Sequence, residues 1–229
     1  MSTPIGNLED ITIRAIKTLL SVDLILCEDT RRTGLLLAHL LSQYGEQFDA
    51  SATVKPQLVA YYEQVEEQRI PDIVDRLEKG SDVALVADAG TPLISDPGHR
   101  LVRECARRKI PVESIPGPSA SLAALTSSGL PPDKFFFLGY PPEKQAHRRR
   151  LFTNLSSLVS LVSPTFILYC APHKLARTLA DLADSLGDIE VVIARELTKI
   201  HQEVWRGRLS EVQKDIGRFK GELVLLFHL

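Results

Sequence analysis

Four short stretches rich in glycine, proline, serine and threonine could hold a ligand. They are Thr3-Pro-Ile-Gly-Asn7, Asp88-Ala-Gly-Thr-Pro92 running on to Ser95-Asp-Pro-Gly98, Ile115-Pro-Gly-Pro-Ser-Ala120, and Tyr169-Cys-Ala-Pro-His173. Glycine lets a backbone approach a ligand closely, and proline holds a loop in one shape. Exposed N–H groups and hydroxyls then bind a polar molecule without any charged side chain. One such loop is ordinary turn chemistry; four in one chain describe a site. Charged groups follow two apolar runs: Glu28, Asp29 and Arg31 after the first, Arg195, Glu196 and Lys199 after the second. Arginine's planar fork matches phosphate oxygens, against the bland alternative of a surface ion pair.

Other chemistries lack their signatures. No Gly-x-Gly-x-x-Gly follows a strand pattern, no P-loop occurs, and no His-Glu-x-x-His or Cys/His cluster marks a metal. No Gly-x-Ser-x-Gly elbow is present, and the six histidines are scattered. The reaction must come from a bound cosubstrate, with the protein supplying position and electrostatics.

The elements that position these loops alternate between short β-rich runs and helical patterns, which predicts an α/β fold with a mostly parallel N-terminal sheet. Strands are expected at Asp23–Cys27, Gln57–Tyr61, Asp82–Ala87 and Val112–Ile115. Asn7 is expected to cap a helix through Leu8, Ile11, Ala15 and Leu19. Further helices are expected through Leu35–Leu41 ending near Gly45, through Ile73, Val74 and Leu77 closed by Gly80, through Leu101–Ala106, and over Ser119–Ser127. Beyond the break at Gly129-Leu-Pro-Pro132 strands grow denser: Phe135–Leu138, Thr165–Tyr169, Glu190–Ala194, Gln202–Arg206 and Glu222–Phe227, with helices over Glu143–Val162 and His173–Leu186. This predicts a mixed C-terminal sheet. A boundary anywhere from 117 to 132 fits; the division adopted is 1–118 and 119–229.

At 229 residues the chain suits one large or two small domains, and a formal charge of −2 gives no global field to attract nucleic acid. The local positive runs are His147-Arg-Arg-Arg150 with Lys144, and Arg107-Arg-Lys109. A solvated helix face is the default for each; phosphate contact by Arg148 and Arg149 is the functional alternative. Phe135-Phe-Phe137 is expected in the core rather than as a base-stacking platform, Trp205 in packing, and His173 at a helix start. Cys27, Cys105 and Cys170 are odd in number and far apart, which predicts free thiols in a reducing cytoplasm. No apolar run approaches the roughly 20 residues a bilayer needs, no signal pattern opens the chain, and Asn154-Leu-Ser156 is a coincidental glycosylation match.

Six ordered motifs carry a family resemblance. Thr3-Pro-Ile-Gly-Asn-Leu-Glu-Asp-Ile-Thr12, Cys27-Glu-Asp-Thr-Arg31, Asp88–Gly98, Ile115–Ala120, Arg195-Glu-Leu-Thr-Lys199 and Lys220-Gly-Glu-Leu223 resemble the ribosomal RNA small subunit methyltransferase I family of the tetrapyrrole methylase superfamily, from Thr3 to about Phe227. The resemblance implies two α/β domains with the active site in the cleft between them, S-adenosylmethionine as methyl donor, and no metal. It implies as acceptor the 2′-hydroxyl of a cytidine in the decoding region of 16S rRNA in the small ribosomal subunit, and a homodimer. Tetrapyrrole-methylating members read Gly-Gly-Asp-Pro where this chain has Ala89-Gly-Thr-Pro92. By that match Gly90, Thr91, Pro92 and Ile94 meet the donor, with Pro4, Gly6, Asp88, Ser119 and Ala120. Tyr169, Cys170 and Ala171 fall where the second domain closes over it. Arg31, Arg195, Arg148 and Arg149 are candidates for RNA phosphates, Glu28 or Asp29 for orienting the ribose, and Asp29, Glu196 and Lys199 for the proton acceptor.

The chain departs from the family in four places. A β-strand precedes the Thr-Pro-Ile-Gly loop in the family and is missing here, as a truncated start would leave it. Tyr61-Tyr-Glu-Gln-Val-Glu66 replaces a segment with His-Asn before its glutamate, and Cys170-Ala-Pro-His-Lys174 replaces Glu-Ser-Pro-His-Arg. A small C-terminal extension of many members is also absent. The alternatives are a methyltransferase of the same fold acting on a tetrapyrrole or other small molecule, and a non-catalytic RNA- or ribosome-binding relative.

Overall fold

The computed structural model describes residues 1–48, 55–159 and 162–229, and the chain divides into two compact units, Met1–Ser119 and Ala120–Leu229. The first unit is built on a parallel sheet, β1 (Leu24–Cys27), β2 (Gln57–Ala60) and β3 (Val83–Leu85), in the order β2-β1-β3. All four residues of β1 are buried, as expected of a central parallel strand covered on both faces. Its side chains alternate. Ile25 and Cys27 join Ala84 and Val86 in a core with α1 (Ile13–Ser21) and α2 (Thr30–Tyr44). Leu24 and Leu26 face α3 (Glu66–Glu78) and α4 (His99–Arg107), with Tyr61, Ile73, Val74, Leu101 and Cys105.

Two expectations for this unit are corrected. Asn7 does not cap α1. Its carboxamide accepts from the Glu9 N–H at 3.0 Å and opens a 3₁₀ turn over Leu8–Asp10, and α1 is capped by Thr12, which accepts from the Ala15 N–H at 3.1 Å. Val112–Ile115 is not a strand: Val112, Glu113 and Ser114 face solvent and are not paired in a sheet. Leu35 lies on α2 as expected but is exposed.

The second unit carries a five-stranded mixed sheet in the order β4-β5-β8-β6-β7: β4 (Phe135–Phe137), β5 (Thr165–Cys170), β6 (Glu190–Arg195), β7 (Glu203–Arg208) and β8 (Leu223–His228). Only β4 and β5 run parallel; β5, β6 and β7 find antiparallel partners through β8 and β6. α5 (Ala120–Ser128) packs on the sheet, and α6 (Gln145–Val159), α7 (Pro172–Leu186) and α8 (Leu209–Lys214) enclose a core of Phe152, Phe166, Leu175, Leu179, Leu182 and Phe227. Residues 160–161 of the expected Glu143–Val162 helix lie outside the described residues. The Phe135-Phe-Phe137 expectation fails: β4 is an edge strand, and Phe135 and Phe136 are each 41% exposed. Trp205 packs as expected, edge-on to Phe219 at 5.8 Å.

Candidate active site

Three of the four loops meet in the first unit. Thr3 and Gly90 exchange backbone hydrogen bonds, Thr3 N–H to Gly90 O at 2.9 Å and Gly90 N–H to Thr3 O at 3.0 Å. The Thr3 hydroxyl donates to Ala87 O at 3.0 Å. The Thr91 hydroxyl donates to Pro118 O at 3.0 Å and lies 2.9 Å from that of Ser2. At Gly117 a Cβ would stand 2.9 Å from Ser2 Cβ, so glycine permits the third loop to close on the first.

The Asp88–Gly98 loop is contorted. Gly90 has φ +84° and Gly98 +127°, and the non-glycine residues Leu93 and Ser95 also lie in the left-handed region at 72° and 70°. Such conformations persist only where the surroundings impose them, and they gather at ligand sites. Pro92 is buried within the loop while Ile94 is exposed.

Beside it the carboxyl ends of β1 and β3 gather acidic groups. Asp88 accepts from the Asp29 N–H at 3.0 Å and pairs with Arg32 at 3.4 Å, and the Asp88 N–H points at Glu28 Oε1 at 3.5 Å. Asp29 caps α2, accepting from the Arg31 N–H at 2.8 Å and from its guanidinium at 2.9 and 3.2 Å. These bonds from Arg31 hold the Asp29 carboxyl down to about 2. Burial pushes Glu28 up. Asp96 goes further, to about 7, through burial and then the charges of Glu28 and Asp88. A cavity of about 270 Å³ opens here among Thr3, Pro4, Leu8, Arg32, Leu36 and Asp88.

The fourth loop belongs to the second unit. Tyr169 meets Phe137 and Tyr140 edge-on at 4.8 and 5.6 Å, and Ala171 caps α7 with Pro172 in its first turn. Burial pushes the Cys170 thiol up to about 11, so it stays protonated.

The charged candidates of this unit are engaged with one another. Arg195 donates to Glu203 at 2.8 Å and to Lys220 O at 3.4 Å. Glu196, at φ 48°, accepts from the Glu222 N–H at 2.8 Å and from Lys199 at 3.2 Å, and Lys199 also pairs with Glu222 at 3.0 Å. Gly221 must lack a side chain here, because a Cβ would stand 2.2 Å from the Glu196 carboxylate.

These contacts weigh against four candidate roles. The bond from the Glu222 N–H holds the Glu196 carboxyl below its ordinary range. Its partners Glu222 and Glu196 outweigh burial and hold the Lys199 ammonium above its own, so it keeps its proton. Asp29 is bound in its cap. None of the three suits a proton acceptor near neutrality. Arg148 is the fourth: it is 3% exposed, donating to Asp181 at 2.7 Å and to Pro142 O and Glu143 O at 2.9 and 3.1 Å, and cannot reach a phosphate. Arg149 shares Asp181 at 2.7 Å but is half-exposed.

Sequence reasoning missed Arg32, Asp96 and the apolar wall of the cavity. Arg32, Leu35, Leu36 and His39 recur at helical spacing on α2, and that periodicity was the available signal.

Comparison with known proteins identifies the family. The family model for Tetrapyrrole (Corrin/Porphyrin) Methylases matches residues 2–213. A protein of Thermotoga maritima named ribosomal RNA small subunit methyltransferase I is 46% identical over 99% of this chain and 95% of its own length. One of the same name from Vibrio cholerae is 43% identical over 99% of this chain and 75% of its own. The X-ray structure of a cobalt precorrin-4 methyltransferase matches at a TM-score of 0.65 with 17% identity, over 99% of this chain and 92% of that one, a likeness of fold. The chain belongs to the ribosomal RNA small subunit methyltransferase I family, within the tetrapyrrole methylases.

Proposed function

We propose that this chain transfers the methyl group of S-adenosylmethionine to the 2′-hydroxyl of a cytidine in the decoding region of 16S rRNA, acting in the cytoplasm as a homodimer on the small ribosomal subunit. The observation that carries the reading is the near full-length identity to relatives named for rRNA methylation. The convergence of the Thr3, Gly90 and Pro118 loops supports it.

The residues fit the donor. Thr3 to Asn7 and Gly90 to Ile94 present backbone groups and small side chains, and the left-handed Gly90 leaves open the space that a side chain would fill. Gly90, Thr91, Pro92 and Ile94 are assigned to the donor, with Pro4 and Gly6 across the Thr3–Gly90 bridge and Ser119 and Ala120 beyond Pro118. Tyr169, Cys170 and Ala171 keep their assignment by family match.

When bound, the donor supplies an electrophilic methyl on a sulfonium, and no metal is required. The chain's part is to hold the ribose oxygen in line with that carbon, which is where most of the rate arises. The cavity beside α2 is assigned to the acceptor nucleotide: Leu8 and Leu36 offer apolar walls to a base, and Arg32 stands at its rim for a phosphate, with the exposed Arg31 next to it on α2. Asp96, close enough to Glu28 and Asp88 to feel their charges, joins Asp29, Glu196 and Lys199 as a candidate to accept the hydroxyl proton, and its raised carboxyl suits that task best. Glu28 is left to orient the ribose.

Calorimetric titration with S-adenosylmethionine tests the donor assignment. Binding that weakens in Thr91→Val supports it; a donor that fails to bind at millimolar concentration overturns it and favours a non-catalytic RNA-binding relative.

A further inference from the structure

The exit of the Asp88–Gly98 loop is held by a residue that the donor reading does not use. Gly98 is the N-cap of α4 and must be glycine: its φ is +127°, and a Cβ there would stand 2.4 Å from Leu85 Cδ2 and 2.9 Å from Leu93 Cδ1. A helix start without a side-chain cap leaves N–H donors unsatisfied, so the cap must come from elsewhere. It comes from Glu66, on the first turn of α3. This carboxylate is buried, and its Oε1 accepts from the Gly98 N–H at 3.0 Å, the Arg100 N–H at 3.3 Å and the Tyr61 hydroxyl at 3.1 Å. The Arg100 guanidinium stands 3.9 Å from Oε2. Burial and the Glu66 charge both push the Tyr61 phenol up, so it remains a donor. An anion at a helix N-terminus is also favoured by the helix dipole.

Entry and exit of the loop are thus pinned separately, by the Thr3–Gly90 bridge and by Glu66. Between them lie Leu93 and Ser95, whose left-handed backbones must be imposed from outside. We propose that Glu66 is a positioning residue that caps α4 from a neighbouring helix and so holds the Gly90–Ile94 segment in its donor-binding shape. The inference rests on the assignment of that segment to the donor.

The test uses the full chain with Glu66→Gln, which keeps the side-chain volume and one carbonyl oxygen, and Glu66→Ala. Ile73→Ala, in the core that α3 shares with α4 and making none of the Glu66 hydrogen bonds, serves as a control for stability loss alone. S-adenosylmethionine affinity is measured by calorimetry well below each melting temperature, and exchange of the Gly90–Arg100 amides by hydrogen–deuterium mass spectrometry. Expected is a donor affinity lowered about 10-fold in Glu66→Gln, equivalent to roughly 1.4 kcal/mol, and further in Glu66→Ala. Amide exchange over residues 90–100 should rise by a similar factor, while Ile73→Ala leaves donor affinity within about twofold and exchange in that segment unchanged. Unaltered exchange in Glu66→Gln, or a loss of donor affinity in Ile73→Ala equal to that in Glu66→Gln, overturns the inference. If the unsubstituted chain binds no donor yet Glu66→Gln speeds exchange over 90–100, the loop anchor stands and the donor assignment falls.

Discussion

Replacing Arg148 by alanine separates two readings of the basic run on α6. As a phosphate contact, Arg148 would matter to RNA and little to stability. In the structure it is a structural cation. Asp181 is 1% exposed and accepts from Arg148, from Arg149 at 2.7 Å and from Gln145 at 2.9 Å. Burial opposes its charge, but those three donors hold its carboxyl below the ordinary range. Removing one partner of a buried pair costs about 3–5 kcal/mol. Because Arg149 and Gln145 remain, the carboxylate should fall near the lower end of that range. The Pro142 and Glu143 carbonyls lose a donor as well, at about 1 kcal/mol each. The expected loss is about 5 kcal/mol, or at least about 20 °C in the melting of a unit near 100 residues long. Guanidinium unfolding followed by Trp205 fluorescence, which reports on this unit, measures it. Filter binding to small-subunit RNA at several salt concentrations gives the second readout: each lost phosphate contact flattens the log–log slope by about 0.7–0.9, and the structure predicts no change. An unaltered unfolding midpoint with a flattened slope would refute the assignment.

The remaining expectations concern the first unit. Gly90→Ala places a Cβ 3.3 Å from Ile5 Cγ2 at φ +84°; left-handed strain of about 1–2 kcal/mol should appear as weaker donor binding in calorimetry. Asp96 binds a proton in the folded chain up to about pH 7 that the unfolded chain releases near 4, so stability falls as pH rises across that interval. Asp96→Asn should flatten that slope in denaturant titrations and remove the rise in methyl transfer near pH 7. Leu36→Trp, which fills part of the cavity, should lower turnover on small subunits by at least about 10-fold while leaving donor affinity unchanged.

The alternation of β1 and the capping glycine of α3 were legible in the sequence because each is a local rule: a buried apolar run reads as a central parallel strand, and Gly80 at φ +91° ends a helix. The glycine- and proline-rich loops were legible for a related reason, since glycine and proline advertise unusual backbone. What failed depended on partners distant in the chain. Val112–Ile115 has strand-like composition, but no strand beside it takes up its hydrogen bonds. Phe135 and Phe136 are apolar enough for a core yet stand on an edge strand. Arg148 looks like its neighbours in the basic run, and only Asp181, 33 residues further on, shows that it is buried. Glu66 ends a segment noted only for its departure from the family; its role appears when Gly98 and Tyr61 are brought to it.

The central claim is methyl transfer to ribosomal RNA. It is tested most directly by incubating the chain with methyl-tritiated S-adenosylmethionine and small subunits from a strain lacking this modification, then digesting the RNA to nucleosides. The account predicts label in 2′-O-methylcytidine from 16S rRNA. Label in an added porphyrinogen and none in the RNA would contradict it.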